Sequence, residues 1–441
     1  SSSSGAGSGR APPGLCLGAA ALGWRPRLGG AAAGRRAALS RGRRTGAAAT
    51  PADGRYIGLL PFEPAALLDE VISTVTFYEG EAPVALLRRR VDAMLAANPW
   101  LGGRLRKVSN DVALYVPREL NAEPCFAEAY VSGLTPAQPM ESMRQVVEDL
   151  LVKKGSDCLG ADEPLFRVIL VHTAPGCFAV VVSMAHVLGD GHTFYKLHNM
   201  LDHDAGLFGM GELFLGKIRP LEPRRKTSFM RNMALSLGPS KLEFISSYEL
   251  EFGQKLRKLL LPKKEFSAWS VSSDWVDAEK ARAAAGVSTN DVLTSWFLRE
   301  GRYAYGFMAI NLRGRLPGLE DGDAGNYSAT LQFWPEEFRE PEGIRRCLRS
   351  SPRFQAGRPD TPQLLETLSG SFGAVTNWTG LFQEMRLPGC RQVLHIPLPA
   401  SFRPDGGMVI FQPRAGELGV VLCERRAPET YAHPALAHRM C

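Results

Sequence analysis

The side chains best suited to chemistry are those of His186 and Asp190, which together with Gly191 form the pattern His-x-x-x-Asp-Gly. An imidazole titrates near neutral pH, so it can remove a proton from a hydroxyl or an amine. Asp190 lies beside Gly191, where the backbone can bend sharply. The pattern therefore predicts a general base or, as the alternative, a buried histidine in a turn that the aspartate caps.

Signals of other chemistries are weaker. Five of the eight histidines lie between residues 172 and 203, but neither His-Glu-x-x-His nor His-x-His occurs, so we expect no metal site. The chain has no Gly-x-Ser-x-Gly nucleophile elbow and no phosphate-binding Gly-x-x-x-x-Gly-Lys-Ser/Thr loop. Its eight cysteines include no Cys-x-x-Cys pair, which argues against a zinc ribbon and a dense disulfide framework.

The elements that must position the histidine follow from the apolar pattern. Residues 166–172 and 178–184 are apolar and β-branched, and Ala-Pro-Gly separates them, which predicts a hairpin. The second strand leads directly into His186, and a helix is predicted over residues 193–201. An earlier helix is predicted over residues 82–98, where apolar side chains recur at helical spacing.

The second half of the chain repeats this alternation. Residues 288–291 supply capping oxygens for a helix that reaches about Tyr303, and a strand over residues 307–312 leads to Arg313. Later strands are predicted over residues 329–334, 393–397, 408–412 and 419–423. We therefore predict a leader (1–53), an α/β domain (54–215), a basic crossover (216–268), a second α/β domain (269–430) and a tail (431–441).

Charge is unevenly distributed along the 441 residues. The 52 Lys and Arg residues exceed the 45 Asp and Glu residues, but residues 1–50 hold eight arginines and no lysine or acid. The remainder is nearly neutral, so no nucleic-acid partner is expected.

No apolar run is long enough for a transmembrane segment. A basic amphipathic helix predicted over residues 241–261 leaves peripheral membrane contact open, although a solvated face is the commoner role of such charge.

The leader consists mainly of Ala, Gly, Ser and Arg. That composition resembles a transit peptide and predicts import into a plastid or a mitochondrion. The alternative is a low-complexity tail without a targeting role, in which case we expect a cytoplasmic protein.

Further segments occur in an order that resembles a known family. They are Asn-Pro-Trp-Leu-Gly-Gly-Arg-Leu at 98–105, Pro-Leu-Phe-Arg at 164–167, Ser-Thr-Asn-Asp-Val-Leu at 288–293, Asn-Leu-Arg-Gly-Arg-Leu at 311–316, Gly-Asn at 325–326 and Thr-Asn-Trp at 376–378. With the histidine pattern they resemble the chloramphenicol-acetyltransferase-like superfamily, most closely the BAHD acyltransferases and more distantly the condensation domains of peptide synthetases. The resemblance covers most of residues 56–425. It implies a two-domain fold, each domain a mixed sheet flanked by helices, with an active-site tunnel between the domains.

The resemblance also implies an activity. It implies acyl transfer from acyl-CoA, as co-substrate, to a small-molecule alcohol or amine, with no metal, no permanently bound cofactor and no covalent enzyme intermediate. His186 would be the general base, and Asp190 would point away from the substrate and pair with Arg313. Thr376 and Trp378 would line the place where negative charge develops on the carbonyl oxygen. A monomer is expected.

The phosphates of CoA need cations. Since the resemblance assigns Arg313 to Asp190, the candidate donor-binding residues are Arg315 and three residues of the crossover, Arg224, Arg225 and Lys226. For the crossover residues, plain solvated charge is the alternative.

One departure from the BAHD pattern bears on subfamily and acceptor. The family's Asp-Phe-Gly-Trp-Gly loop, held to be structural, is replaced here by Arg-Leu-Pro-Gly-Cys at 386–390. Two alternatives therefore stay open: a catalytically silent binding or scaffold protein with the same fold, and a condensation-domain-like enzyme that uses carrier-bound thioesters. Condensation domains usually carry a second histidine at the position that Ala185 occupies here. This difference favours an acyl-CoA-dependent enzyme over a condensation-domain-like one.

Overall fold

The computed structural model describes residues 54–60, 63–109, 111–202, 222–223, 264–316, 318–349, 371–399, 405–425 and 432–441. The predicted leader, the helix predicted at 241–261 and most of the crossover lie outside these residues. Residues 51–441 belong to one unit that contains two large mixed sheets with helices, so the predicted mixed α/β class is confirmed.

The described strands are β1 (Gly54–Gly58), β2 (Ile72–Glu79), β3 (Arg104–Val108), β4 (Asp111–Pro117), β5 (Phe126–Tyr130), β6 (Phe166–Ala174), β7 (Cys177–Met184), β8 (Glu222–Pro223), β9 (Glu265–Val271), β10 (Tyr305–Asn311), β11 (Asp323–Ala324), β12 (Ser328–Phe333), β13 (Phe372–Asn377), β14 (Arg391–Pro397), β15 (Gly406–Phe411), β16 (Gly419–Glu424) and β17 (Leu436–Arg439). The described helices are α1 (Glu63–Ala66), α2 (Val84–Ala97), α3 (Met140–Val147), α4 (Gly155–Cys158), α5 (Gly191–Asn199), α6 (Ser273–Arg282), α7 (Thr289–Glu300), α8 (Pro335–Phe338) and α9 (Pro341–Arg349). Short 3₁₀ turns occupy Pro99–Gly102, Glu123–Cys125, Glu148–Leu150 and His186–Leu188.

The first sheet has the strand order β14–β2–β7–β6–β5, in which only β5 and β6 run parallel. Strands β6 and β7 form the predicted hairpin, and Gly176 provides the positive φ of +70° that its turn requires. Strand β7 lies at the centre and is buried on both faces. Val180 and Val182 pack under the helices, whereas Val181 packs in a cluster that includes Val409 of the second sheet. This two-sided burial explains why β7 is apolar at nearly every position, with Ser183 as the exception, rather than alternating.

The second sheet has the order β12–β10–β13–β15–β16–β9–β17. The central pairs β10–β13 and β13–β15 are parallel, and the others are antiparallel. Helix α7 covers this sheet and begins with a capping box, in which the Ser288 side chain accepts the N–H of Asp291 and Asp291 accepts the N–H of Ser288. Two smaller sheets, β1–β4–β3 and β11–β8, complete the described strands.

Three described strands lie across the predicted boundaries along the chain. Strand β14, predicted within the second domain, pairs with β2 in the first sheet because its buried Leu394 and Ile396 fit that core. The predicted tail contains β17, which pairs with β9, and its last residue, Cys441, is buried. Strand β9 begins inside the predicted crossover, at Glu265. Periodicity identifies the type of an element but does not identify its neighbours, so these pairings were not visible in the sequence.

Candidate active site

His186 lies where β7 ends and a helix is about to begin. Ala185 follows β7 in extended conformation, and His186–Leu188 then form a single 3₁₀ turn. Val187 and Leu188 are buried in the core, whereas the half-buried imidazole lines a cavity. The strand and the buried turn therefore hold the histidine at a fixed position on the cavity wall.

Asn326 orients the ring of His186. Its Nδ2 donates to the carbonyl oxygen of His186 at 2.9 Å and to Oε1 of Glu63 at 3.3 Å. These two acceptors fix the amide, so that its Oδ1 lies 3.1 Å from Nδ1 of His186. The network thus assigns the ring proton to Nδ1, which donates to Oδ1, and leaves the lone pair of Nε2 available to accept a proton.

Glu63 fixes Asn326 from the other side and is fully buried. Its Oε1 accepts the backbone N–H of Asn326 at 3.2 Å, and its Oε2 accepts the backbone N–H of Leu60 at 2.7 Å. The sequence predicted no role for Asn326 beyond its place in the Gly-Asn turn, and none for Glu63. Because 263 positions separate these two residues, no local pattern connects them.

The carboxylate of Asp190 is engaged by four donors and is buried. Oδ2 accepts from Nη1 of Arg313 and from the backbone N–H of Tyr327, both at 2.9 Å. Oδ1 accepts the backbone N–H of Thr193 at 3.0 Å, which caps α5, and the Thr193 hydroxyl at 3.2 Å. Burial alone would raise the pKa of Asp190, but attraction to Arg313 and the hydrogen bonds hold it below its ordinary value. Asp190 is therefore charged and serves the structure of the loop.

Arg313 extends this network toward the histidine. Its Nε donates to the carbonyl of Asp323 at 2.7 Å, and its Nη2 donates to the carbonyl of Gly325 at 2.9 Å. Since Asn326 directly follows Gly325, the buried ion pair sets the position of the amide that orients His186. The structure thus brings together the residues that the resemblance assigned to these two tasks.

The cavity beside His186 has a volume of about 440 Å³, within the range of sites for small molecules. Both large sheets contribute to its walls: Ile72 and Ser73 of β2 on one side, and Asn311 of β10 and Thr376 of β13 on the other. This position between the two sheets corresponds to the tunnel that the resemblance implied.

Trp378 and Gly191 meet at the edge of this cavity. The indole of Trp378 packs edge-on against Tyr195 of α5, with 5.5 Å between ring centroids. A Cβ at position 191 would lie 3.0 Å from Nε1 of Trp378. The absence of a side chain at Gly191 therefore leaves room for the indole, which lines the cavity together with Thr376 and His186.

His192 also lines the cavity, although the sequence predicted no role for it. Its Nδ1 accepts from Nδ2 of Asn311 at 3.3 Å, and its Nε2 donates to the carbonyl of Asp321 at 3.0 Å. Burial lowers the pKa of His192, and the nearby Arg313 lowers it further. Since both ring nitrogens are engaged, we interpret His192 as a neutral structural group rather than a second base.

Arg315 is not among the residues that line this cavity. Arg315 is exposed, and Arg224, Arg225 and Lys226 lie outside the described residues. Among the residues that the structure describes, no group of three or more His, Cys, Asp or Glu side chains could hold a metal ion. No helix in the described ranges is long and apolar enough to cross a membrane.

The segment around residues 386–390, which stands in place of the BAHD loop, contacts residues of the first half of the chain. The backbone N–H of Arg386 donates to Oδ1 of Asp202 at 2.6 Å, and its guanidinium pairs with the same carboxylate at 2.7 Å. The hydroxyl of Tyr78 on β2 donates to the carbonyl of Met385 at 2.9 Å. These contacts lie at the end of α5 and on the first sheet.

Many solved structures match the chain, and three that match most of it illustrate the similarity. TRI101 of F. sporotrichioides, solved with coenzyme A and T-2, has 14% sequence identity and a TM-score of 0.56, and the match covers 84% of this chain and 95% of that one. Polyketide synthase associated protein 5 from Mycobacterium tuberculosis has 15% identity and a TM-score of 0.55, with coverages of 85% and 94%. The first condensation domain of the CDA synthetase has 14% identity and a TM-score of 0.51, with coverages of 87% and 93%.

In sequence, no family model matches the chain, and no curated protein matches it. At identities of 14% and 15%, the structural matches establish a shared fold and no more.

Proposed function

Because the chain has the chloramphenicol-acetyltransferase-like fold, which acyl-CoA acyltransferases and condensation domains share, we propose that it transfers an acyl group from acyl-CoA to a hydroxyl or amine of a small molecule. The observation that carries this proposal is the arrangement of His186. Asn326 holds its Nδ1 as a donor, and the imidazole lines a cavity between the two sheets. That arrangement suits a general base acting through Nε2.

In the proposed reaction, His186 removes the proton from the acceptor as the acceptor attacks the thioester carbonyl. The proton then passes to the leaving thiolate, so no covalent enzyme intermediate is needed. As the imidazole becomes positive, its Nδ1–H bond to Asn326 becomes charge-assisted and therefore stronger. Holding donor and acceptor in one cavity supplies the proximity contribution, which is worth several kcal/mol.

The negative charge that develops on the carbonyl oxygen needs hydrogen-bond donors. Two other side chains that line the cavity with His186 can donate, the Thr376 hydroxyl and the Trp378 indole N–H. We assign them to this task. Arg315 and the crossover residues Arg224, Arg225 and Lys226 stay candidates for the phosphates of CoA.

The test is thiol release from a panel of acyl-CoA donors, each incubated with a mixture of alcohols and amines. We expect acceptor-dependent release of CoA, and a loss of about two to four orders of magnitude in His186→Ala, which is the usual contribution of a positioned general base. Thermal unfolding of the same variant controls for folding. A near-normal rate in His186→Ala would refute the mechanism.

The similarity to a condensation domain favours one alternative, the use of carrier-bound thioesters. Offering the same acyl group on CoA and on a phosphopantetheinylated carrier protein separates the two. Turnover with the carrier alone would favour the condensation-like enzyme. No turnover with either donor, together with no stabilisation of the fold by CoA, would favour a silent binding or scaffold protein.

A further inference from the structure

A group of polar side chains lies buried between the first sheet and helix α5. It comprises Thr76 of β2, His395 of β14, and Tyr195 and His198 of α5, and none of the four is more than 1% exposed. Burying polar groups in an apolar core costs free energy unless they are hydrogen-bonded. The proposed reaction uses none of these side chains, so their presence in the core needs another explanation.

His395 is the centre of this group. Its Nδ1 is hydrogen-bonded to Oγ1 of Thr76 at 2.9 Å, and its Nε2 is hydrogen-bonded to the hydroxyl of Tyr195 at 3.0 Å. Because a hydroxyl can donate or accept, a neutral imidazole satisfies both bonds in either tautomer. Burial lowers the pKa of His395 well below its ordinary value, and the nearby His198 lowers it further. The ring is therefore neutral and bridges β2, β14 and α5.

His395 also contacts the turn that carries Trp378. Its ring stacks on that of Phe382, with 4.4 Å between ring centroids and 26° between ring planes. The backbone N–H groups of Leu381 and Phe382 donate to the carbonyl of Trp378 at 2.9 and 3.2 Å, so these residues form one turn. Trp378 and Leu381 line the cavity that contains His186, whereas His395 is not among the lining residues. His395 is thus linked to the cavity wall through Phe382.

Tyr195 contacts the same turn by a second route. Its ring lies edge-on to the indole of Trp378, at 5.5 Å between centroids, and to the ring of Phe382, at 6.3 Å. The bond between the Tyr195 hydroxyl and His395 fixes the position of the phenol ring. Because protein cores are close-packed, the position of that ring limits where the indole of Trp378 can lie.

We propose that His395 is a positioning residue for Trp378. Through Tyr195 and Phe382 it holds the indole where the N–H can meet the negative charge that develops on the thioester carbonyl oxygen. A donor of this kind contributes only when it is aimed in advance at that oxygen, so a small displacement lowers the rate without weakening substrate binding. The inference rests on the proposed function for the reaction, but the position of the indole can be measured without turnover.

Nuclear magnetic resonance of the indole N–H groups tests that position directly. The chain has seven tryptophans, and Trp378→Phe identifies the signal of Trp378 by its loss. His395→Phe keeps a ring against Phe382 and removes both hydrogen bonds. We expect the Trp378 signal to shift or broaden in this variant, while the signals of the other tryptophans stay in place.

A matched control and a second variant accompany this measurement. Tyr78→Phe also removes a buried tyrosine hydroxyl from the first sheet, one that donates to the carbonyl of Met385, and it should leave the Trp378 signal unchanged. Tyr195→Phe removes only the hydroxyl that bonds to His395. It should move the Trp378 signal in the same way, and it replaces His395→Phe if that variant does not fold.

Kinetics test the consequence for the reaction. In His395→Phe we expect kcat to fall about tenfold with KM within about twofold of the wild-type value, as for an interaction made only in the transition state. In Trp378→Phe, which has no indole N–H to position, adding His395→Phe should cause no further fall. Tyr78→Phe should change neither constant. Melting temperatures control for folding in every variant.

An unmoved Trp378 signal in both His395→Phe and Tyr195→Phe would overturn the proposal. So would an equal fall of kcat with and without the indole of Trp378, because His395 would then act on the rate by another route. If the wild-type chain turns over no donor, the proposed function fails, and the indole signal alone decides whether His395 positions Trp378.

Discussion

Replacing Asp190 by alanine should destabilise the fold strongly, because the carboxylate does two structural tasks. It caps α5 through Thr193, and such caps are worth about 1 kcal/mol. It also compensates Arg313, whose side chain is 1% exposed. Breaking a buried pair by removing one partner costs about 3–5 kcal/mol. The free energy of unfolding should therefore fall by about 4–6 kcal/mol, a large share of the total stability of about 5–15 kcal/mol that is typical of proteins.

The assay is urea unfolding at pH 7, followed by circular dichroism. At this pH the pair contributes in full, because its carboxyl pKa is depressed in the folded state. The contribution is present above the ordinary aspartate pKa and is lost only as the pH falls through the lower folded value. Glu417→Ala, which breaks the exposed pair with Arg414, is the control and should cost less than about 1 kcal/mol.

A double-mutant cycle sharpens the test. Since Arg313→Met removes the charge that Asp190→Ala leaves uncompensated, the double variant should lose less stability than the sum of the two single variants. Asp190→Asn keeps the shape and supplies a folded variant if the alanine variant does not fold. A loss below about 2 kcal/mol in Asp190→Ala, or strict additivity in the cycle, would refute the reasoning.

Four further results are expected. Asn326→Ala removes the acceptor for Nδ1 of His186, a charge-assisted bond worth about 1.5–3 kcal/mol, so kcat should fall about 10-fold to 100-fold with little change in KM; an unchanged kcat would mean that the ring needs no support. Gly191→Ala should push the indole of Trp378 aside and lower kcat about tenfold at nearly constant melting temperature; a normal rate would exclude Trp378 from the reaction. Burial lowers the pKa of His198 to about 4, so its contribution to stability is full above about pH 6.5 and declines as the pH falls from there toward 4; urea midpoints between pH 7 and 5 should fall less steeply in His198→Leu, and equal slopes would contradict this. Residues 1–50, fused to a fluorescent reporter, should direct it to a plastid or mitochondrion, and their deletion should leave stability and transfer unchanged; a diffuse cytosolic reporter would reject the targeting role.

The parts of the fold that could be predicted are those encoded locally. The hairpin of β6 and β7 follows from two apolar runs and one Pro-Gly turn. The start of α7 follows from Ser288 and Asp291, three residues apart. Strand β17 was missed because Leu-Ala-His-Arg carries no strand pattern, and only its pairing with β9 makes it a strand.

In the candidate site, too, the residues that a local pattern encodes could be predicted, and those that depend on a distant partner could not. His186 and Asp190 could be identified from their spacing, and the partner Arg313 was implied only by the resemblance to a known family. Glu63 could not be found, because its task exists only once the chain has brought residues 63 and 326 together. From the sequence alone, a glutamate near the start of a helix would be interpreted as a capping residue or an exposed acid. Only the structure shows that Glu63 is buried and bonded to Asn326.

The position of β14 has a consequence for how the chain acquires its fold during synthesis. Until residue 397 has left the ribosome, β2 has no partner on one side and presents a free edge of backbone N–H and C=O groups. The first sheet therefore stays incomplete until most of the second half of the chain has been made. Such late, non-local pairing slows folding and lengthens exposure to aggregation. A fragment that ends near residue 215 would keep that edge open permanently, so expressing the first half alone should yield an associating species rather than a stable domain.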